Sequence, residues 1–325
     1  MRVLNAADVR QLLSMQRCIE IMDAAMRAVS CGSVSIPPRT FAPLTAPDTH
    51  LGLMPGSAPE LPAYGAKIIS LHPGNGARQL PAIQGFVALF DSETGTPVAI
   101  IDGATVTAIR TAAASGLATR LLARDAASSH GVLGMGVQAE MHIEAITCVR
   151  KIGVVHVWGR DKKRVQRFAA EQSRQCGLEV VAVDTAADAA GCDIVSTVTG
   201  ASKPILAGAW LSPGAHVNLV GAHTPTTREA DSEALARASV YVDRLASARA
   251  EAGDILIPVA EGSIGWRDVI GEIGQVLTGD IAGRVNDTQI TLYKSLGIVA
   301  QDLFVANYLL DKATEVDAGT TVNLS

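Results

Sequence analysis

The chain has 325 residues, a formal net charge of −5, and a composition that is 48% apolar but only 4% aromatic. That length fits one large domain or two ordinary ones built on Ala, Val, Leu and Ile, and the acidic balance excludes a basic field for nucleic acid. No apolar run approaches the roughly 18 to 20 residues that cross a bilayer, so no membrane association is expected.

The opening stretch, MRVLNAADVRQLLSM, carries an early acid and lacks a continuous apolar core, so it does not read as a signal peptide. The five cysteines (Cys18, Cys31, Cys148, Cys176 and Cys192) have neither paired nor metal-type spacing. They fit a reducing cytoplasm and a role as small hydrophobes.

Two helices open the chain: AADVRQLL, then SMQRCIEIMDAAMRAVSCG with Ser14 as N-cap and Gly32 as terminator. From Pro37 to Asp102, short apolar segments such as LGLMPG, YGAKIISL and GFVALFD are separated by Pro, Gly and Asn. FVALFDSETGTPVAIID reads as a hairpin turning at SETG, and this stretch predicts a mostly antiparallel sheet flanked by helices. From ATVTAIRTAAASGLATRLLA onward, helical and strand periods alternate. HGVLGMG, VVHVWGR, LEVVAV, CDIVSTVT, HVNLVG and SVYVD are candidate strands, most of them separated by a helix-length segment. Such alternation predicts an α/β fold with a doubly wound parallel sheet. QITLYKSLGIVAQDLFVANYLLDKATE reads as a short strand followed by a long amphipathic helix.

The strongest local signal is GVLGMGVQAE, in which Gly134, Gly136 and Ala139 form G-x-G-x-x-A after an apolar strand. The first glycine permits a tight turn, the second lets backbone N–H groups approach a pyrophosphate, and the small third residue allows close helix–strand packing. The phosphates would sit on the positive end of the helix that follows, beside Val137 and Gln138. An NAD site usually places an acid at the end of the next strand to bond the ribose hydroxyls. Here VVHVW runs instead into Gly159 and Arg160, followed by Asp161, Lys162, Lys163 and Arg164. Cations at that point suit a 2′-phosphate, so NADP(H) is the preferred cofactor, with NAD(H) the alternative if Asp161 reaches the ribose.

AIRTAAASGLATRLLA, GMGVQAE, VWGR, NLVGA, YVD and QITLYKSLGIVAQD, together with LMPG and YGAKIIS, resemble the ornithine cyclodeaminase/mu-crystallin family in this order. The resemblance spans almost the whole chain. It implies a Rossmann-type NAD(P)-binding domain, placed at 116–301, beside a mixed α+β substrate-binding and dimerisation domain at 1–115 with 302–325. A homodimer is therefore expected. The C-terminal helix would pack back onto the first domain.

Members of that family act on small substrates with a carboxylate beside an amine or imine carbon. The resemblance implies a carboxylate clamp at Arg39, Lys67 and Arg110. Lys67 also lies inside an apolar strand, where an unpaired ammonium is costly and an anionic partner is expected. Arg110, read as lying near a helix N-terminus, would join the helix dipole in attracting an anion. The alternative is that Lys67 and Arg110 pair with carboxylates of the protein itself. The resemblance also assigns Thr111 and Ser295 to the cofactor.

Two positions depart from the family's cyclodeaminases: Gly52 and His223 stand where those enzymes carry acids, and the family's alanine dehydrogenases share the second acid. Reduction of a preformed ring imine needs less, namely an anchored carboxylate and a proton on nitrogen, and a histidine can deliver that proton. His223 follows directly on a candidate strand, at the end where doubly wound sheets bind ligands. The expectation is thus NADPH-dependent reduction of Δ1-pyrroline-2-carboxylate or Δ1-piperideine-2-carboxylate to L-proline or L-pipecolate, with His223 and Lys67 as proton-handling groups. Ornithine cyclodeaminase, alanine dehydrogenase and a non-catalytic NADP-binding protein are the other readings. His72 is expected to shape its Pro-Gly loop and His156 to be structural. The exposure of His142 is not legible from sequence, and Asp302 is placed by the resemblance toward the cofactor. No His, Cys and Asp set has metal spacing, so no metal is expected.

Overall fold

The computed structural model describes residues 1–46, 48–78 and 80–323. The chain divides into two compact units, Met1–Arg110 with Gly297–Ser325 and Thr111–Leu296. The first break falls inside a helix, which is why a sequence reading that placed it at 115 had no local signal to use.

In chain order the first unit begins with β1 (Arg2–Leu4), α1 (Ala6–Leu12) and α2 (Met15–Ser30). Ser14 caps α2 by accepting from the Arg17 N–H at 3.2 Å, and Gly32, at φ +74°, ends it. Strands β2 (Thr40–Pro43), β3 (His50–Gly56), β4 (Ala63–Leu71), β5 (Ile83–Asp91) and β6 (Pro97–Asp102) follow. Helix α3 (Gly103–Leu122) leads into the second unit.

There β7 (Ser129–Leu133), α4 (Val137–Val149), β8 (Val154–Trp158), α5 (Lys162–Cys176), β9 (Glu179–Ala182), α6 (Ala186–Ala190), β10 (Ile194–Thr197) and β11 (His216–Leu219) alternate. After them come α7 (Ser232–Arg237), β12 (Ala238–Val242), α8 (Leu245–Glu251), α9 (Gly253–Ala260), β13 (Val269–Glu272), α10 (Ile273–Thr278) and β14 (Ile290–Lys294). The first unit resumes with α11 (Val299–Glu315) and β15 (Thr320–Thr321).

The first unit's sheet has the order β15-β1-β6-β5-β4-β3-β2, antiparallel apart from the parallel β1–β6 pair. Alternation gives it two faces. Met54, Lys67, Val87 and Ile101 are buried on the side where α11 packs against β3, β4 and β5. On the other side Leu53, Ile68 and Phe86 are in register, Tyr64 stacks on Phe90, and Leu51, Leu53 and Tyr64 are exposed.

The second unit's sheet is wholly parallel, in the order β13-β12-β14-β11-β10-β7-β8-β9. Adjacent strand residues serve opposite faces. Val132 and Ile194 belong to one core cluster, while Leu133 and Val195 belong to the other. The sheet is therefore buried on both sides, as a parallel sheet requires. This is the doubly wound Rossmann-type arrangement expected from the alternating periods, with the order reversing at β7 and β10. The short β1, β2, β13 and β15 were not legible as strands. No helix among the described residues is long and apolar enough to cross a membrane.

Candidate active site

In the second unit, β7 feeds a turn into α4. Gly134 has φ +137°, and a Cβ there would come within 2.8 Å of the Val198 carbonyl oxygen, so both its backbone and its surroundings require glycine. Nothing lies within 4 Å of a Cβ built on Gly136, which N-caps α4 without a side-chain hydrogen bond. The first N–H groups of α4 thus face an open cradle, and Ala139 is buried tightly behind it. A cavity of about 860 Å³ adjoins this turn, lined by the loops after β7, β8 and β10. That is the switch point of the sheet, and its shape and backbone donors fit a dinucleotide.

Arg160 lines this cavity, and so do Arg164 and Lys203. Asp161 is engaged as the N-cap of α5, accepting from the Arg164 N–H at 3.1 Å, while Lys162 pairs with Asp184 at 2.7 Å. Of the expected cofactor residues, Gly134, Gly136 and Arg160 meet here. Val137 and Gln138 form the first turn of α4, and Gln138 Oε1 is buried with no hydrogen-bond partner. Thr111 and Ser295 are buried but do not line the cavity. Ser295, just past β14, has an Oγ with no hydrogen-bond partner.

His223 is exposed in the loop after β11, and its Nδ1–H donates to the Gly221 carbonyl at 3.1 Å. That bond selects the tautomer in which Nε2 is the basic nitrogen of the neutral ring. The imidazole therefore bonds to backbone while remaining reachable by solvent.

Beneath this loop lies a buried network. Glu229 accepts from the Gly221 N–H at 2.7 Å, the Thr199 N–H at 2.8 Å, and the hydroxyls of Thr199 and Thr197 at 2.6 and 2.7 Å. Burial pushes its carboxyl above the usual range, opposed by the threonine bonds and the Lys294 charge. Lys294 Nζ donates to the Ala222 carbonyl and lies 2.9 Å from Asp254 Oδ2, an ion-pair approach not aligned as a hydrogen bond. Asp254 Oδ1 accepts from the Glu229 and Ala230 N–H groups.

In the first unit, Lys67 and Arg110 come together on one acid. Asp302 Oδ1 accepts from Lys67 Nζ at 3.0 Å and from Arg110 Nε at 3.1 Å, and Arg110 Nη1 also donates to Gln301 Oε1 at 2.8 Å. Burial pushes the Lys67 ammonium down to about 8, with Asp302 opposing and Arg110 adding to the fall. Burial would raise the Asp302 carboxyl, but the Arg110 and Lys67 charges hold it below its ordinary value. Arg39 sits over the Phe41 ring at 5.5 Å, and its charge also disfavours the Lys67 ammonium.

Two expectations change. Arg110 lies two turns into α3, which begins at Gly103, so the dipole of that helix does not assist it. The anionic partner of Lys67 and Arg110 is a residue of the protein itself, Asp302, which belongs to the first unit. His142, unreadable from sequence, is fully buried between the Ser115 hydroxyl and the Gln138 carbonyl. His72 closes its loop through backbone bonds to Ala82 and Asn75, and His156 contacts the Asp188 carbonyl.

The family model for the ornithine cyclodeaminase/mu-crystallin family matches residues 1–317. The chain belongs to this family. Within it, the chain is 35% identical to a Δ1-pyrroline-2-carboxylate reductase of Bacillus cereus, over 99% of both chains. The solved structure of Thermococcus litoralis Δ1-pyrroline-2-carboxylate reductase, in complex with NADH and L-proline, superposes with a TM-score of 0.96 at 34% identity, covering 99% of this chain and 100% of that one. An archaeal alanine dehydrogenase dimer with bound NAD gives 0.94 at 31% identity, covering 100% and 99%.

Gly52, where the family's cyclodeaminases carry an acid, has no space for one. A Cβ there would approach Phe41 Cε1 to 2.7 Å and Ile69 Cγ1 to 2.8 Å. Sequence reading missed Glu229, Asp254, Lys294 and Lys203. The argument that marked Lys67, a lysine inside an apolar strand, applies equally to Lys294 in ITLYK and would have found it.

Proposed function

We propose that this protein reduces cyclic ketimine carboxylates, Δ1-pyrroline-2-carboxylate or Δ1-piperideine-2-carboxylate, to L-proline or L-pipecolate with NADPH, NADH being the alternative cofactor. The observation that carries the reading is the buried cluster of the first unit. Lys67 and Arg110 share the single carboxylate of Asp302, so the cluster holds one positive charge in excess. A buried excess charge is costly unless an anion answers it, and a substrate carboxylate is such an anion. Arg39 adds a third cation at its edge.

In this reading Arg39, Lys67 and Arg110 anchor the carboxylate, which makes the first unit the substrate-binding domain. Gly134, Gly136, Val137, Gln138, Arg160, Thr111 and Ser295 of the second unit hold the cofactor, with Arg110 of the first. The nicotinamide, when bound, supplies the hydride that reduces the imine carbon. The protein supplies the proton at the ring nitrogen, from His223 or from Lys67, and the C=N bond becomes CH–NH. Orientation of the substrate contributes most, and proton donation adds a smaller part. The preference for NADPH is supported by Arg160, Arg164 and Lys203 around the cavity and by the engagement of Asp161 in capping.

The first unit's apolar sheet face fits a second copy of the chain. It presents Leu51, Leu53 and Tyr64 in one patch, and the archaeal relative is a dimer. Light scattering should give a dimer, and Leu53→Arg should give a monomer. A monomeric wild type would remove this assignment.

Alanine dehydrogenase is the second reading, favoured by the likeness to the archaeal enzyme. A kinetic panel separates the readings. NADPH absorbance should fall with either cyclic imine, whereas ornithine with NAD⁺ should release no ammonia and pyruvate with ammonium should react poorly. Steady absorbance with every substrate would leave a cofactor-binding protein without this activity.

A further inference from the structure

The segment SLGIVAQD, at the start of α11, is built around the guanidinium of Arg110. Gly297 has φ +77°, and a Cβ there would come within 2.6 Å of Arg110 Nη1, so only glycine leaves the group its place. One turn later Gln301 and Asp302 accept from the same guanidinium. The cluster is dry: the side chains of Lys67, Arg110 and Asp302 are 3%, 6% and 0% exposed. Both cations converge on Oδ1, while Oδ2 of the same carboxylate is buried with no hydrogen-bond partner, as is Gln301 Nε2. Asp302 draws two like charges to one point and leaves them in excess.

We propose that Asp302 is a positioning residue of the reduction, holding Lys67 as an ammonium beside Arg110 so that the pair stands charged and aligned before the substrate carboxylate arrives. This rests on the imine-reductase reading for its functional meaning, although the contact itself can be tested without turnover. The groups that bear on Lys67 are Asp302 from α11, Arg110 from α3 and Arg39 ahead of β2, with Cys18 of α2 close to Arg110 and Asp302. Its neighbours across β3 and β5, Met54 and Val87, carry no charge. Asp302 is thus the one anion among the described groups that keeps Lys67 protonated against two cations. Without it, Lys67 loses its proton at lower pH.

The test compares the full-length wild type with Asp302→Asn by ¹⁵N NMR titration of the lysine Nζ, with the Lys67 signal assigned through Lys67→Arg. The midpoint should fall by about one to three pH units, and the basic limb of kcat/KM should move with it. A residue that merely supported the fold would lower activity without moving either. An unmoved midpoint in folded protein overturns the proposal. If Asp302→Asn does not fold, Asp302→Glu, which keeps the charge but displaces it, should move the midpoint the same way by a smaller amount, and an unmoved midpoint there is equally fatal. A wild type that reduces no imine defeats the functional reading alone, because the titration still reports whether Asp302 governs Lys67.

Discussion

Each unit buries a lysine against an aspartate at nearly the same distance, 3.0 Å for Lys67–Asp302 and 2.9 Å for Lys294–Asp254, yet their surroundings are opposite. Around Lys67 two cations share one acid. Around Lys294 one cation faces two acids, and backbone N–H groups occupy both of them: Gly221 and Thr199 on Glu229, Glu229 and Ala230 on Asp254. The second cluster ties the loops after β10 and β11 to the chain beyond them, and burial raises the Glu229 carboxyl above its ordinary range. A lysine in a strand therefore has no single meaning. The acids held by backbone N–H groups belong to scaffolding, and the cations in excess point to an anion from outside.

The largest test of this contrast is acid. The second unit also buries three histidines, His130, His142 and His216, against hydroxyl and amide partners with no acid among those bonds. Burial pushes them down to about 3, 4 and 3, from an ordinary value of 6.5. Below pH 6.5 the unfolded chain binds protons that the folded one refuses. The stability these neutral rings contribute is complete above that pH and is lost as pH falls toward 4 and 3. Each contributes about 1.4 kcal/mol per pH unit, so roughly 6 kcal/mol should disappear between pH 6.5 and 5. Hydrogen exchange should show the second unit losing protection first. Equal protection of both units at pH 5 would erase the distinction.

Exchanging each lysine for methionine tests the clusters directly. Lys294→Met leaves Asp254 and Glu229 without a cation and should destabilise by about 3 to 5 kcal/mol, read by denaturant unfolding. Lys67→Met leaves Asp302 still paired with Arg110 and removes the excess charge. It should lower kcat/KM by about 30- to 1,000-fold with a smaller change in stability. If Lys67→Met unfolds the protein as readily as Lys294→Met, the first cluster is scaffolding too.

What the sequence made legible was local. The glycine turn at Gly134 and Gly136 and the strands β7 to β12 each announce themselves within ten residues, through period and punctuation. Lys67 and Arg110 stood out as charges in apolar company, but their partner lies 235 and 192 residues away in sequence, where no period connects them. Arg110 was misplaced along its helix although Gly103 opens α3 and Asp102 accepts from the Thr105 N–H at 2.8 Å, both marking its first turn. Burial of His130 and His216 was invisible because a histidine in a strand looks the same whether its face is wet or dry.

His223 sharpens the contrast at a middle scale. Its loop is held by the scaffolding cluster, while its imidazole is exposed and aimed by the bond to Gly221. His223→Asn can keep that backbone bond through its amide but cannot carry a proton. Turnover of the cyclic imine should fall about 10- to 100-fold, with NADPH affinity by fluorescence titration nearly unchanged. Unaltered turnover would assign the proton to Lys67 and leave His223 a part of the scaffold.

The smallest effect is expected where the same charge rule operates in solvent. Arg160, Arg164 and Lys203 line the cofactor cavity with one acid, Asp161, already engaged as a helix cap. The cation excess is larger than that around Lys67, but water screens it, so each group contributes less. Arg160→Asp both removes a phosphate partner and offers a carboxylate to ribose hydroxyls. The ratio of kcat/KM for NADPH to that for NADH should therefore fall by about tenfold, and the effect should shrink as salt rises. A ratio that does not change at low salt would mean that an excess of exposed cations does not mark an anion site in this protein, and the rule would then hold for buried charge alone.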